Sequence, residues 1–169
     1  MLKPVVIPKF DLKIMVCGGI SRYGKTRLCI VPKGQTVTGD YYREHILPEY
    51  IRILKDKRIV PKQQHALLMQ DGATCHTAVK TMNQIKASGV QVLEKWPGNS
   101  PDLNPIEHVW AKLQDSVFIE PRPKNLEQLI AITQKTWEEL RQDEIASLTD
   151  SFGRRLLECQ ANSGNHTKY

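Results

Sequence analysis

The chain has 169 residues, 40% of them hydrophobic and 25% charged, proportions typical of a soluble globular domain. It contains no apolar run of about eighteen residues, and its start does not resemble a signal peptide. No membrane-spanning segment and no association with a membrane are therefore expected. The four cysteines are scattered without a CxxC pair, which favours a reduced intracellular protein over a zinc site or disulfide framework.

The net charge of +6 is concentrated in the first half of the chain. Residues 1–62 hold 13 Lys and Arg against 5 Asp and Glu, a net charge of +8. Such a basic half indicates a polyanion as partner, although a solvated lysine-rich surface explains it equally well.

Residues 12–18 and 26–31 predict two strands joined by a long turn, which together form a hairpin. The turn, GISRYGKT, matches the phosphate-binding pattern GxxxxGK[ST], but such a loop must open a helix. Here the residues after the turn resemble a strand that ends at Pro32-Lys33-Gly34. We therefore favour a basic hairpin tip over a nucleotide site.

Helical spacing of apolar residues begins near Thr38, and Pro48 inside that stretch predicts a kink or two short helices. Residues 66–69 then form a short apolar run that predicts a central strand, with Asp71 at its carboxyl end. A helix over 76–88 is predicted next, with three apolar residues turned inward: Val79, Met82 and Ile85.

The second half of the chain is predicted to be mostly helical after a strand at 90–93. Asn104 is the predicted cap of a helix in which Pro105 is the first residue and Glu107 the third. Further helices begin at Asn125 and span 143–160. The order of elements predicts an α/β fold with mixed strand pairing.

Two acids are presented on separate elements with 35 residues between them, Asp71 after a strand and Glu107 in the first turn of a helix. Carboxylates that meet in this way are what a hard divalent cation needs. Each acid also has an ordinary alternative, because Asp is common in turns and Glu107 suits a capping box. His76 and His108 lie near the acids, but helix histidines are more often surface residues.

The sequence around both acids resembles a known family. QDGATCH and WPGNSPDLNPIEHVW resemble the catalytic core of mariner-superfamily (Tc-type) DDE transposases. KIMVCGGISRYGKT is similar to the family's glycine-rich hairpin, with Cys17 where a tryptophan is usual. DYYREHILPEY is similar to its proline-containing helix, and SLTDSFGRRLLECQANSGNHTKY to its C-terminal end. The resemblance covers essentially the whole chain.

The resemblance implies a ribonuclease H-like mixed sheet flanked by helices, in a single domain over 1–169 with a helical part at 125–169. It implies that Asp71 and Glu107 are the second and third of three catalytic acids that hold two Mg²⁺ or Mn²⁺ ions during DNA cleavage and strand transfer. DNA, as transposon ends and target, is then the partner, and a homodimer and a nuclear location are further implications. The residues predicted to contact nucleic acid are Arg22, Lys25, Arg27, His76 and His108.

The family's first acid is expected on a strand of its own, a few dozen residues before the hairpin. Only residues 1–11 precede the hairpin here, and Asp11 is the sole acid among them, a weak candidate for the third ligand. The first strand and the family's N-terminal DNA-binding region are therefore expected to be missing. Two hypotheses stay open: a transposase or endonuclease domain impaired by this loss, and an inactive domesticated or remnant nucleic-acid-binding module.

Overall fold

The computed structural model describes residues 12–60, 67–93, 96–97 and 100–168, together with the backbone of 2–7. The strands are β1 (Leu2–Ile7), β2 (Leu12–Cys17), β3 (Ile20–Ser21), β4 (Gly24–Lys25), β5 (Cys29–Val31), β6 (Leu67–Leu68) and β7 (Gln91–Val92). The helices are α1 (Gly39–Tyr41), α2 (Leu47–Lys55), α3 (Thr74–Thr77), α4 (Val79–Ser88), α5 (Ile106–Ser116), α6 (Leu126–Glu139) and α7 (Gln142–Ala161). Among the described residues no helix combines the length and the apolar character needed to cross a membrane.

The strands pair in both directions, which confirms the predicted mixed pairing. β1, β2 and β5 form an antiparallel sheet in that order, and β6 pairs with β7 in parallel. β1 was not predicted from the sequence, and its residues, LKPVVI, include no acid. This added strand therefore does not supply the first catalytic acid.

Helices pack on both faces of β2, because its apolar residues point alternately to either side. Ile14 and Val16 belong to a core formed with α5 and α6, whereas Met15 and Cys17 belong to a second core formed with α2. A strand that is covered on both faces is apolar at successive positions rather than at every second one. β2 is thus the strand shared by both cores.

The hairpin after β2 has two parts. Thr26 leaves the ladder, since its N–H donates to Gly19 O at 2.9 Å and its hydroxyl accepts from Gly19 N at 2.9 Å. The second strand is consequently shorter than predicted and begins at Cys29, while β3 and β4 pair at the tip. No helix follows Thr26, as expected for a hairpin tip rather than a nucleotide-binding loop.

The region around Pro48 is interrupted as predicted. A π-helical turn, Tyr42–Ile46, separates α1 from α2, and Pro48 lies in the first turn of α2. Proline has no N–H to donate to the preceding turn, so the chain widens before it.

The prediction for residues 76–88 was partly wrong. Ala78, with a ψ of 136°, interrupts the helix and separates α3 from α4. Ile85 is buried as predicted, but Val79 is 75% exposed and Met82 is also exposed. The extended residue at 78 resets the rotation of the helix, so that Thr81 and Ile85 face inward instead.

The predicted cap of α6 is confirmed, whereas α5 begins one residue later than predicted and has Pro105 rather than Asn104 as its cap residue. α5 begins at Ile106, whose N–H donates to the Asn104 side chain at 3.4 Å, and Asn125 caps α6 through Gln128 N at 2.9 Å. The predicted apolar stripe of α5 is buried: Ile106, Val109, Trp110, Leu113 and Val117.

Lys25 holds the hairpin tip against the end of α6. Its Nζ donates to the carbonyl oxygens of Trp137 at 2.6 Å, Glu138 at 2.8 Å and Leu140 at 2.8 Å. Carbonyls at the end of a helix have no partner within the helix, and a positive charge there is favoured by the helix dipole. Partial burial lowers the pKa of Lys25 from its ordinary value.

We expect Lys25→Met to lower the free energy of unfolding by about 1–2 kcal/mol, because it removes the charged cap of α6. Urea denaturation measures the change. Lys135→Met on the exposed side of α6 is the matched control and should change stability by less than about 0.5 kcal/mol. Equal effects of the two substitutions would contradict a capping role for Lys25.

Gly18 lies directly against the Trp137 ring, where an added Cβ would be 2.7 Å from Cη2. We expect Gly18→Ala to destabilise the fold by about 1–3 kcal/mol through overpacking. Gly153→Ala is the control, since no atom lies within 4 Å of its added Cβ and it lies inside α7. That variant should be as stable as the original or slightly more stable in thermal unfolding.

Candidate active site

Asp71 lies three residues beyond β6, at the rim of a cavity. Leu68, the last residue of β6, is buried and anchors the segment that leads to Asp71. The cavity has a volume of about 450 Å³, and Asp71 and His76 are among its lining residues. The strand thus presents the acid at its carboxyl end, as the sequence predicts.

His76 fixes the orientation of the Asp71 carboxylate. Their Nδ1 and Oδ1 atoms are 2.6 Å apart, and Ala73 N also donates to Oδ1 at 3.1 Å. The hydrogen bond from His76 is the main reason that the pKa of Asp71 falls to about 2, against the opposing effect of burial. Asp71 is therefore ionised at neutral pH and can only accept, so the His76 nitrogen is the donor.

His76 is itself held by its surroundings. It is only 3% exposed, and its ring lies 4.7 Å from the Tyr42 ring. The Tyr42 hydroxyl accepts a hydrogen bond from Gln70 Nε2 at 2.8 Å. A buried, oriented histidine leaves the carboxylate little rotational freedom.

The other oxygen of Asp71, Oδ2, accepts no hydrogen bond from the residues that the structure describes. Both recorded bonds end on Oδ1. The Asp71 side chain is partly exposed, at 26%. One oxygen is therefore positioned by the protein and the other is open to a ligand.

Glu107 lies in the first turn of α5, as predicted, with its Oε1 atom buried. The residues immediately before it, Asn104, Pro105 and Ile106, line the same cavity as Asp71. The sequence predicts a separation of about 4–8 Å between the two carboxylates, compatible with bridging metals. That separation stays a prediction.

Arg155 supports the same region, a role that was not predicted from the sequence. This fully buried residue of α7 donates to Asp102 O at 2.6 Å and to the Ser151 hydroxyl at 2.9 Å. It also lies 3.2 Å from His108 Nδ1, which must accept because guanidinium only donates. Burial and Arg155 lower the pKa of His108. The four-residue spacing of Ser151 and Arg155 on one helix face was the available signal.

The residues predicted to contact nucleic acid fall into two groups. Arg22 and Arg27 have exposed side chains, paired with Asp150 and Glu49 respectively, and His108 is exposed. By contrast, Lys25 uses its ammonium on carbonyls within the chain, and His76 is buried against Asp71. The structure gives these last two residues contacts within the chain, and contact with nucleic acid stays a prediction for all five residues.

The third ligand remains unassigned. Asp11, the weak candidate from the sequence, lies outside the described residues. Within the described ranges no group of three or more His, Cys, Asp and Glu side chains is arranged to hold a metal ion.

A family model described as DDE superfamily endonuclease matches residues 12–130, more than half of the chain. The chain belongs to this family. The Tc3 transposase of Caenorhabditis elegans is 30% identical over 162 residues, which cover 92% of this chain and 46% of that relative. The chain thus spans about half the length of this curated relative, and the resemblance to mariner-superfamily transposases is confirmed.

Solved structures of Mos1 transposase have the same fold. The catalytic domain of Mos1 transposase, in complex with Raltegravir and Mn, has a TM-score of 0.84 at 20% identity, covering 99% of this chain and 82% of that chain. The Mos1 mariner paired end complex with Mn has a TM-score of 0.80 at 21% identity, covering 96% and 47%. These matches confirm the predicted ribonuclease H-like fold.

We expect His76→Phe to raise the pKa of Asp71 from about 2 toward its ordinary value of 3.8, because the main stabilising hydrogen bond is lost. NMR titration of the Asp71 carboxyl carbon measures it. A depressed native pKa stabilises the fold fully above about pH 4 and progressively less as the pH falls toward 2. The free energy of unfolding of the variant should therefore fall less than that of the original protein as the pH is lowered from about 4 to 2.

His166→Phe is the control for this substitution, since His166 is exposed and contacts Asp102 instead. It should leave the pKa of Asp71 unchanged. An unchanged pKa in the His76 variant would show that other groups hold the carboxylate ionised.

Proposed function

We propose that this chain is the metal-dependent DNA-cleaving and strand-transferring region of a transposase, with Asp71 and Glu107 as metal ligands. The observation that carries the proposal is the state of Asp71. It is ionised, oriented by a buried histidine and open at Oδ2, in a cavity that is also lined by the residues leading into Glu107. Membership of an endonuclease family supports the same function.

The residues present suit a hard divalent cation. Mg²⁺ and Mn²⁺ prefer carboxylate oxygens, and Mg²⁺ at phosphoryl-transfer sites is held by few carboxylates plus substrate oxygens. Asp71 and Glu107 would hold the metal. When bound, such ions activate water or a 3′-hydroxyl and stabilise the leaving oxygen at the phosphate.

The chain's own residues prepare the site for this chemistry. His76 holds Asp71 in one orientation and keeps it ionised. The carboxylate is therefore already charged and oriented before a cation binds. Arg155 joins α7 to Asp102 and His108, and so supports the start of α5 from which Glu107 projects. We propose that both are positioning residues.

We propose DNA, as transposon ends and target, as the partner. The basic first part of the chain, the exposed Arg22 and Arg27, and exposed His108 support a phosphate-contacting surface. The related Mos1 structure is a paired end complex, which supports a homodimer as the working assembly. Action on DNA favours the nucleus as its location.

The proposal requires a third acid. Asp11 is the one acid ahead of the hairpin in this sequence, and it is the candidate for that role. The alternative is an inactive module that binds nucleic acid and no longer cleaves it. The same experiment distinguishes the two.

We expect Mn²⁺-dependent nicking of terminal-repeat DNA by the chain to fall in Asp71→Asn and in Glu107→Gln. The loss of nicking activity should be larger than the ~10–100-fold loss that follows when only the hydrogen-bond partner of a metal ligand is removed. Mn²⁺ titration, followed by calorimetry, should show weaker binding in both variants. Asp115→Asn is the matched control on α5, because Asp115 is exposed and should affect neither measurement.

Asp11→Asn tests the third ligand in the same assay. If Asp11 is the third metal ligand, this substitution should also abolish nicking. Salt-sensitive DNA binding without metal-dependent nicking by the unaltered chain would support the inactive module. Mn²⁺ binding that survives both Asp71→Asn and Glu107→Gln would contradict the metal site itself.

A further inference from the structure

Cys17 and Cys29 lie directly opposite each other on β2 and β5. Opposed residues of antiparallel strands have Cα atoms about 4.5–5.5 Å apart, within the ~4.4–6.8 Å that a disulfide spans. Both side chains belong to the core on the α2 side of the sheet, and both are free thiols. The backbone therefore already holds them at disulfide spacing.

A cavity of about 270 Å³ connects this pair to the surface. Cys17 and Cys29 line it together with Arg27, His45 and Glu49. The side chains of Arg27 and His45 are 84% and 55% exposed, so the cavity opens to solvent between them. A water molecule occupies about 30 Å³, so a small oxidant has room to enter.

The two thiols differ in a way that suits stepwise oxidation. Cys29 is partly exposed, whereas Cys17 is only 2% exposed. The interaction with the Cys17 thiol lowers the pKa of Cys29, and the same interaction together with burial raises the pKa of Cys17. Cys29 thus has the exposure and the thiolate character of an attacking thiol, with Cys17 behind it.

We propose that Cys17 and Cys29 form a reversible oxidation site, which hydrogen peroxide converts to an intramolecular disulfide. The Cys29 thiolate attacks one peroxide oxygen, the O–O bond breaks, and the leaving hydroxide takes a proton to become water. Cys29 is then a sulfenic acid. The Cys17 sulfur attacks Cys29 Sγ, the S–O bond breaks, and the departing hydroxide takes the Cys17 proton. Two thiols lose two electrons, and one peroxide becomes two waters.

The other cysteines provide internal comparisons. Cys75 is buried in the same core on α3, and burial raises its pKa. Cys159 lies near the end of α7. Neither is opposite another cysteine in the described strand pairs. The site uses neither Asp71 nor Glu107, so it stands independently of the proposed DNA chemistry.

The test treats the folded chain with hydrogen peroxide, blocks remaining thiols with N-ethylmaleimide and maps tryptic peptides. Trypsin places Cys17 in residues 14–22 and Cys29 in residues 28–33, so a linked pair is identified directly. We expect that linked peptide, a fall from four alkylatable thiols to two, and recovery with dithiothreitol. Cys159→Ser should still form the link.

Two further variants separate the steps. Cys29→Ser should form no link and keep Cys17 alkylatable, whereas Cys17→Ser should leave a Cys29 sulfenic acid that dimedone traps. The unaltered chain alone can overturn the proposal, whether or not these variants fold. A link from Cys29 to Cys75, links only between chains, or unchanged alkylation of Cys17 and Cys29 after peroxide would each do so.

Discussion

The attachment of the hairpin to the end of α6 is the constraint on which the rest of the fold depends. Trp137 Nε1 donates to Thr26 O at 2.9 Å, Lys25 donates to three carbonyls at the same helix end, and Gly18 admits the Trp137 ring. Polar groups at a buried helix end must find partners, and here the hairpin supplies them. The contact therefore fixes β2 relative to α6, and β2 contributes to both cores.

The two acids inherit their positions from that strand. Leu68, which precedes Asp71, shares a core with Cys17 on one face of β2. Ile106, which precedes Glu107, shares a core with Ile14 and Val16 on the other face. Each acid thus lies within three residues of a buried side chain, Leu68 or Ile106, that belongs to one of the two cores on either face of β2. Close-packed cores transmit displacement, so a shift of β2 would move both anchors.

The sequence predicts what depends on local periodicity and cannot predict what depends on distant partners. The apolar stripes of α5 and α6 follow a period of 3.6 residues, and those helices were predicted correctly. The pattern at Val79 and Met82 was equally regular, but the extended Ala78 reset it. The partners of Lys25 lie more than 110 residues away, and the Arg155–His108 contact joins two helices. The partners of Lys25 are main-chain carbonyl oxygens, which no side chain in the sequence reveals. The prediction of DNA contact for Lys25 therefore depended on its charge alone.

The thiol pair lies beside the contact between the hairpin and α6. Cys17 and Cys29 line the same cavity. Because Cys17 is followed by Gly18, which contacts Trp137, oxidation there would constrain the same strand end that α6 holds. The thiol pair is therefore placed where a covalent bond between β2 and β5 would reinforce the attachment on which both acids depend.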